Sequence, residues 1–231
     1  MKLLEETKSV SVRHGRWYDD ACGTALALEV LGERWSLLVV RELLYGPLRF
    51  SDLRAALPGI SAKVLTERLE GLEQAGALAR RTLPPPGKVQ VYELTPWGKA
   101  AEGVVLEMGR WALQSPLHNP RLHMSPAGLM VSFQIMIDRG KAAALPMRAG
   151  FDFGRTAILA TLADGAITFQ RGPIDGADIV FRASDATPLA AIIYGKVDPA
   201  RYADQGVKVE GDAARVACFI DLFHLPARPG R

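Results

Sequence analysis

Residues 58–76 have the sequence PGISAKVLTERLEGLEQAG, and this stretch decides the fold of the first half of the chain. Ser61 follows a Pro-Gly pair and is a typical helix N-cap. Leu65, Leu69 and Leu72 recur at i, i+4 and i+7 until the last glycine of the stretch. The pattern predicts an amphipathic helix with one buried apolar stripe.

The opposite face of this helix is small, cationic and hydroxyl-bearing near its start. It carries Ala62, Lys63, Thr66, Glu67 and Glu70. Short side chains let a helix enter a DNA major groove, where Lys63 and Thr66 can contact base edges or phosphates. A short helix is predicted just before it, over 51–57, with Ser51 as its N-cap. The pair predicts a helix-turn-helix, although any αα-hairpin has the same local pattern.

Two further helices are predicted upstream, over 21–31 and 35–45. Gly32 is expected to end the first in a left-handed conformation, and a Gly-Pro pair at 46–47 ends the second.

A β-hairpin is predicted after the helix-turn-helix, because β-type runs over 77–83 and 89–95 flank three prolines and a glycine. Its basic residues are Arg80, Arg81 and Lys88, and the sequence has no acidic residue between Glu73 and Glu93. A cationic hairpin beside a recognition helix is typical of a wing that contacts phosphates. The alternative is a hairpin whose charges only keep it soluble.

Thr95 is predicted to cap one long helix with Pro96 in its first turn. Its apolar stripe comprises Trp97, Ala101, Val104, Val105, Met108 and Ala112. A stripe of this length needs a partner surface, so we expect a homodimer contact here, with packing inside the chain as the alternative.

The composition is that of a soluble globular protein: of 231 residues 48% are apolar and 23% charged, with a formal net charge of +3. The longest uncharged stretch, 122–137, is interrupted by polar residues, so no membrane span is expected, and the charged N-terminus predicts a cytoplasmic protein. Two distant cysteines and four unclustered histidines predict no disulfide framework and no metal site. With no catalytic motif in the sequence, we expect neither an enzyme nor a cofactor.

The acidic residues divide the chain in two. Eleven Glu and three Asp precede position 120, against one Glu and ten Asp after it. Glu favours helices whereas Asp favours caps and turns, and several prolines near 116–126 mark the join. We therefore predict an α+β protein with a helical domain over 1–118 and a strand-rich α+β domain over 125–226.

In the second half, a helix over 125–137 is predicted to precede a sheet covered by helices. Four β-type runs, 145–152, 156–163, 166–171 and 177–183, predict an antiparallel meander. A helix over 185–194 ending at Gly195, a strand over 207–210 and a helix over 213–223 complete the domain.

The first half resembles the HxlR-type winged helix-turn-helix regulators over about residues 17–113. The matching motifs include Trp35, Gly46-Pro47, Arg49-Phe50, Gly59-Ile60-Ser61 and Leu94-Thr95, and the family's frequent Cys-Pro near the first helix is here Cys22-Gly23. The resemblance implies a dimeric transcription factor that binds an inverted repeat in double-stranded DNA. The DNA-contacting residues would be Arg49, Ser61, Ala62, Lys63, Thr66, Glu67, Arg80, Arg81 and Lys88.

The second half resembles the sterol-carrier-protein lipid-binding fold in two stretches, 195–199 and 206–212. The resemblance implies a tunnel for an apolar small-molecule effector, lined by Phe133, Met136, Phe169, Ile193, Phe219 and Phe223. An apolar stripe at helical spacing is also typical of an ordinary core, so a solid core is the alternative.

Three functions follow as hypotheses. The leading one is a sequence-specific regulator, a repressor, with an effector domain. The others are a lipid-type carrier that uses its first half for assembly, and a redox-responsive regulator acting through Cys22 near the first helix. Cys218 is expected to lie in the core.

Overall fold

The computed structural model describes residues 18–83 and 89–226. Its first half contains the helices α1 (Gly23–Leu31), α2 (Ser36–Leu43), α3 (Phe50–Ala56) and α4 (Ala62–Gln74). They are followed by the antiparallel strands β1 (Leu78–Thr82) and β2 (Gln90–Leu94) and by the helices α5 (Pro96–Ala100) and α6 (Glu102–Ala112). The predicted helix-turn-helix and hairpin are confirmed, and the class of the whole chain is α+β.

Two local predictions in this half are wrong. Gly32 keeps a right-handed φ of −72°, and the chain reverses at Trp35, whose φ is +82°. Helix α3 begins at Phe50 after Arg49, so Ser51 lies inside the helix and does not cap it. The reason is a β-bridge: Leu48 and Tyr92 exchange backbone hydrogen bonds of 3.1 and 2.8 Å, which places the helix start directly after the bridge.

The long helix predicted after Thr95 is interrupted. Thr95 does cap α5, because its hydroxyl accepts the N–H of Gly98 at 3.1 Å. That hydroxyl also donates to the Gly76 carbonyl at 2.7 Å, so α5 is attached to the base of the hairpin. Ala101 bonds back to Gly98 in a tighter turn, and α6 then takes a separate course.

The second half begins with α7 (Pro126–Met136), capped by Ser125 as the sequence predicts, and with α8 (Arg139–Ala143), which it does not predict. The strands are β3 (Met147–Asp152), β4 (Ala157–Ala163), β5 (Ala166–Arg171), β6 (Ile179–Arg182) and β7 (Lys208–Gly211). Between the last two lie α9 (Ala186–Gly195) and a 3-10 helix (Pro199–Gln205), and α10 (Ala213–Asp221) follows. Among the helices of the described residues, none is long and apolar enough to cross a membrane.

The five-stranded sheet has the order β5-β4-β3-β6-β7, which is only partly a meander. Strands β3, β4 and β5 pair antiparallel as predicted, but β6 pairs parallel to β3, so the fully antiparallel prediction is wrong. Residues 172–178 carry the chain back from β5 to β6. This crossover packs on Gly150, where a Cβ would lie 3.0 Å from Cβ of Ile174, so β3 needs a residue without a side chain there.

The last helices follow the sequence. Asp185 caps α9 by accepting the N–H of Thr187, and Asp212 caps α10 by accepting the N–H of Arg215. Helix α9 ends at Gly195 as predicted, and the next residue, Lys196, takes the left-handed conformation.

The two halves meet where α2 and α6 pack on α7. At this junction the buried carboxylate of Glu42 accepts a hydrogen bond from Arg41 at 2.6 Å and another from the Ser125 hydroxyl at 2.7 Å. The Ser125 hydroxyl also accepts the N–H of Gly128 at 3.0 Å. One hydroxyl therefore caps α7 and attaches it to α2.

A second polar chain crosses the same junction. The Tyr45 hydroxyl donates to Gln134 at 2.6 Å, and the Gln134 amide donates to Glu102 at 2.8 Å. Burial, with Glu102 and Glu42 nearby, raises the pKa of Tyr45, so its phenol stays a neutral donor. The prolines near 116–126, from which the boundary between the two halves is predicted, lie between the end of α6 and the first turn of α7.

Replacement of Gly98 by alanine should strongly destabilise the first half, since a Cβ there would lie 1.8 Å from the Ala77 carbonyl oxygen. We expect the free energy of unfolding to fall by about 3 kcal/mol or more, the upper end for overpacking. The matched control is Gly71→Ala in the middle of α4, where no atom lies within 4 Å of the new Cβ. There helix propensity should add up to about 1 kcal/mol. Equal denaturation midpoints for both variants would contradict this account.

Candidate nucleic-acid interface

Helix α4 presents one apolar and one polar face. Its leucines Leu65, Leu69 and Leu72 are fully buried, and the Ser61 hydroxyl accepts the N–H of Val64 at 3.2 Å, which confirms the predicted cap. The residues predicted for DNA contact on this helix, Ser61, Ala62, Lys63, Thr66 and Glu67, are all exposed. The start of α4 is thus a rigid helix end with a small polar surface.

Two of these side chains already have partners. The Thr66 hydroxyl donates to the Ala62 carbonyl at 3.0 Å, which leaves its oxygen lone pairs and its methyl group for an outside contact. Glu67 lies 3.7 Å from Arg68, and Arg68 also pairs with Glu33. Lys63 makes no ion pair with any residue that the structure describes, so its charge is available.

The hairpin arginines are paired with acids from outside the cationic stretch. Arg80 Nε lies 2.8 Å from Glu73 Oε2, and Arg81 Nε lies 2.9 Å from Glu93 Oε2. The sequence showed both acids as the borders of an acid-free stretch, but the fold brings them back onto it. The predicted cationic hairpin is therefore partly compensated by these two ion pairs. Lys88 lies outside the described residues.

Arg49 lies at the start of α3, beside the hairpin. It is exposed and makes no ion pair within residues 18–83 and 89–226. The Leu48–Tyr92 bridge fixes its backbone next to β2, so Arg49 and the hairpin belong to one surface.

A cleft of about 580 Å³ between α1, α4 and α5 was missed by the sequence analysis. It is lined by apolar residues, among them Leu26, Val30 and Trp97, and by the acids Glu29, Glu33, Glu67 and Glu70.

Helix α6 uses its apolar stripe in two ways. Val105 is buried within the chain, and Gly109 lies against Ile135 of α7. Val104 and Met108 remain 45% and 50% exposed, and Trp111 is 75% exposed. The expectation that Val105 belongs to an intermolecular contact is therefore wrong, whereas its exposed neighbours remain available for one.

The residues predicted to line a tunnel are packed against one another. Phe133 lies at the centre, with its ring centroid 4.4 Å from that of Phe223, 6.1 Å from Phe219 and 6.3 Å from Phe169. Met136 and Ile193 are also buried in this core. Any ligand at these residues would have to separate the rings first.

The two cysteines are both exposed. For Cys218 the prediction of a core position is wrong, because its side chain is exposed on α10. Cys22 is the N-cap residue of α1. The N–H of Thr24, and after it the Thr24 hydroxyl and the N–H of Ala25, lower the pKa of the Cys22 thiol from its ordinary value.

Among the described residues, no group of three His, Cys, Asp or Glu is close enough to hold a metal ion.

The Cys22 thiol should ionise more readily in the folded protein than in the unfolded chain. The rate of alkylation of Cys22 by iodoacetamide is measured as a function of pH in a Cys218→Ser variant. The pH at which this rate is half-maximal should lie below the value of about 8.5 for a free thiol. Because the folded pKa is the lower one, the ionised thiol favours the folded state above the unfolded pKa. This contribution is lost as the pH falls through the folded pKa.

Thr24→Val is the control, since it removes one hydroxyl that stabilises the thiolate and should raise the alkylation midpoint of Cys22 part of the way. The same midpoint in folded protein and in guanidinium would show that the helix start has no effect on this thiol.

Comparison with known proteins gives a family for the first half of the chain. Residues 30–118 match the HxlR-like helix-turn-helix family. The uncharacterized HTH-type transcriptional regulator YvaP of Bacillus subtilis is 42% identical over 89 residues, which are 38% of this chain and 82% of that protein.

The HTH-type transcriptional regulator YodB of Bacillus subtilis is 41% identical over 88 residues, covering 38% of this chain and 79% of YodB. The solved reduced form of YodB covers 42% of this chain and 97% of its own, with 37% identity and a TM-score of 0.39. The chain therefore belongs to the HxlR-like helix-turn-helix family of DNA-binding transcriptional regulators.

Proposed function

We propose that this protein is a repressor that binds an inverted-repeat operator as a homodimer, with α4 in the major groove and the hairpin on the phosphate backbone. The observation that carries the proposal is the capped start of α4, where an exposed polar face lies opposite three buried leucines. Half-sites about ten base pairs apart, or a multiple of that, would suit such a dimer. A dimer seated on an operator would block access of polymerase to that DNA.

The pairing of the hairpin arginines is compatible with phosphate contact. Arg81 and Glu93 are about half exposed, and exposed ion pairs contribute only about 0–1 kcal/mol to stability. A phosphate can replace such a carboxylate at little cost. The acids then act as competitors that weaken binding to all DNA sequences equally.

Arg81→Ala and Glu93→Gln should change DNA affinity in opposite directions. Loss of Arg81 should weaken binding to every duplex and reduce the slope of log K against log salt by about one unit. Glu93→Gln removes the competing carboxylate and should strengthen binding to the same duplexes. Fluorescence anisotropy on specific and random duplexes at several salt concentrations measures both. Weaker binding by both variants would contradict the exchange of carboxylate for phosphate.

Thr66→Ala should alter base preference, because its oxygen and methyl group face outward from α4. We expect discrimination at one base pair to change by about 1–3 kcal/mol. Selection of genomic fragments by wild-type and variant protein, followed by sequencing, measures this. Sequence-independent binding by both proteins would refute the recognition role of α4.

The homodimer would form through the exposed apolar residues of α1 and α6. Leu26 and Leu28 on α1 are about half exposed, as are Val104 and Met108 on α6. Full burial of such a side chain contributes roughly 1.5–3 kcal/mol, so removal of the exposed half from water contributes about half of that. Exposed apolar residues on α1 and α6 favour association of two copies over exposure to solvent.

Met108→Asp should dissociate the dimer without unfolding the chain. A charge in an apolar contact should weaken association by about 2–4 kcal/mol. Met108→Leu is the matched control and should stay dimeric, whereas Val105→Asp should unfold the protein because Val105 is buried within the chain. Sedimentation and circular dichroism separate these outcomes. A wild type that is monomeric at micromolar concentration would overturn the homodimer proposal.

We also propose that the C-terminal domain is related to the sterol-carrier lipid-binding fold and acts by binding an apolar effector, without catalysis. A five-stranded sheet covered by α7 and α10 supports the likeness in architecture. The aromatic cluster around Phe133 supplies an apolar interior for such a ligand once its rings separate.

A redox response through Cys22 is the second candidate function. It is supported by the exposure of Cys22 and its lowered pKa, since the thiolate is the form that reacts with oxidants and electrophiles. A modified thiol at the start of α1 would lie near the surface proposed for dimerisation.

A further inference from the structure

A second cleft, here called the junction cleft, lies between the two halves and has a volume of about 450 Å³. Its walls come from the start of α3, from the tip ends of β1 and β2, and from β4 and β5 of the second half. The residues that matter for its chemistry are Arg49, Asp52, Arg155, Thr156 and Arg171.

The junction cleft has an excess of positive charge. Arg49 and Arg155 are exposed at its rim, and neither makes an ion pair within the described parts of the chain. Arg171 is largely buried, and its two terminal nitrogens donate to the Gly46 and Glu42 carbonyl oxygens, each at 3.2 Å. Asp52 opposes one of the three positive charges.

The buried position of Arg171 disfavours the charged form of its guanidinium. Burial lowers the pKa of its guanidinium from the ordinary value, and the negative charges of Glu42 and Asp52 act in the opposite direction. An anion in the cleft would stabilise the charged guanidinium in the same way.

Two buried polar atoms at this cleft have no hydrogen-bond partner among the described residues: Thr156 Oγ1 and Arg171 Nε. A buried donor without a partner destabilises a structure, so such atoms call for an outside acceptor. Both atoms can donate to an oxygen. A bridging water would satisfy these donors but would leave the excess charge of the cleft in place.

We propose that the junction cleft binds an oxyanion, the phosphate or carboxylate group of a ligand, with Arg155 and Thr156 from the second half and Arg49 from the first. The rim arginines would neutralise the charge, and Arg171 Nε and the Thr156 hydroxyl, both covered in this structure, would donate to the oxygens after a rotation of their side chains. The group can belong to a free small molecule or to the DNA backbone.

Arg171 connects such a site to the DNA-binding half. Its backbone N–H donates to the Tyr45 carbonyl at 2.6 Å, and its side chain bonds the end of α2. An anion held by Arg171 would therefore stiffen the segment that leads into α3. This coupling rests on the proposed function, whereas binding of the anion does not.

In the first test the full chain is titrated with inorganic phosphate, and binding is measured by calorimetry. A parallel titration with chloride at the same ionic strength is the control. We expect saturable binding that weakens about tenfold in Arg155→Gln, which loses a charge-assisted hydrogen bond. Thr156→Val keeps the shape of the side chain and should weaken binding several-fold. Arg201→Gln removes an exposed arginine outside the cleft and should bind as wild type.

The second test distinguishes the two sources of the oxyanion. If the site holds a DNA phosphate, Arg155→Gln should reduce the salt slope of duplex binding by about one unit, and Arg201→Gln should not. An unchanged slope with Arg155-dependent phosphate binding indicates a free ligand. If wild type binds phosphate but no DNA, the proposed function fails and the oxyanion site stands.

No saturable phosphate binding together with an unchanged salt slope would overturn the proposal. So would equal phosphate affinity in wild type, Arg155→Gln and Thr156→Val, because the anion would then be held elsewhere. Thermal unfolding of each variant without phosphate confirms that it is folded.

Discussion

The arrangement of the two halves depends on one buried carboxylate. Glu42 is 1% exposed, and an unpaired charge at that depth would be strongly destabilising. Arg41 and Ser125 are therefore both required, one from the same helix and one from the other half of the chain. Because Ser125 also caps α7, the hydroxyl that satisfies Glu42 is the one that marks the start of the helix that carries Phe133. The core of the second half is thus positioned by a residue of the first.

This constraint makes α2 the connection between the two halves. Its residue Glu42 contacts the cap of α7, and the carbonyl oxygens of Glu42 and of Gly46, just past the end of the helix, accept from Arg171 of β5. Helix α2 also packs on α4, the helix with the exposed polar face. A ligand that prefers one arrangement of the second half can change DNA affinity only through its differential contacts with the two arrangements. The bonds of α2 are where such a difference would be transmitted.

The sequence predicts well those features that depend on neighbouring residues. The caps at Ser61, Thr95 and Ser125, the leucine stripe of α4 and the hairpin all follow from short-range spacing. Features that depend on distant residues were not predictable. The parallel pairing of β6 with β3 requires the crossover over Gly150, and nothing within β6 itself encodes it.

The candidate site shows the same division. The exposed face of α4 follows from helical periodicity, so its residues could be named in advance. The neutralisation of Arg80 and Arg81 depends on where α4 ends and on the register of β1 against β2, which sets Glu93 near Arg81. Likewise, Val104 and Val105 are equally apolar in the sequence. Val105 is buried and Val104 is exposed, and only the position of α7 makes this difference.

The paired arginines bear on how a protein with little net charge can select a site on DNA. An arginine that exchanges a carboxylate for a phosphate gains only the difference between two solvent-exposed ion pairs, so each hairpin contact adds little affinity. Binding to random DNA, which depends on phosphate contacts, is then weak. In the proposed binding mode, contacts made by α4 in the major groove would consequently form a larger share of the total, and the ratio of specific to non-specific binding would rise. Partial neutralisation of the hairpin would therefore favour specificity at the expense of affinity.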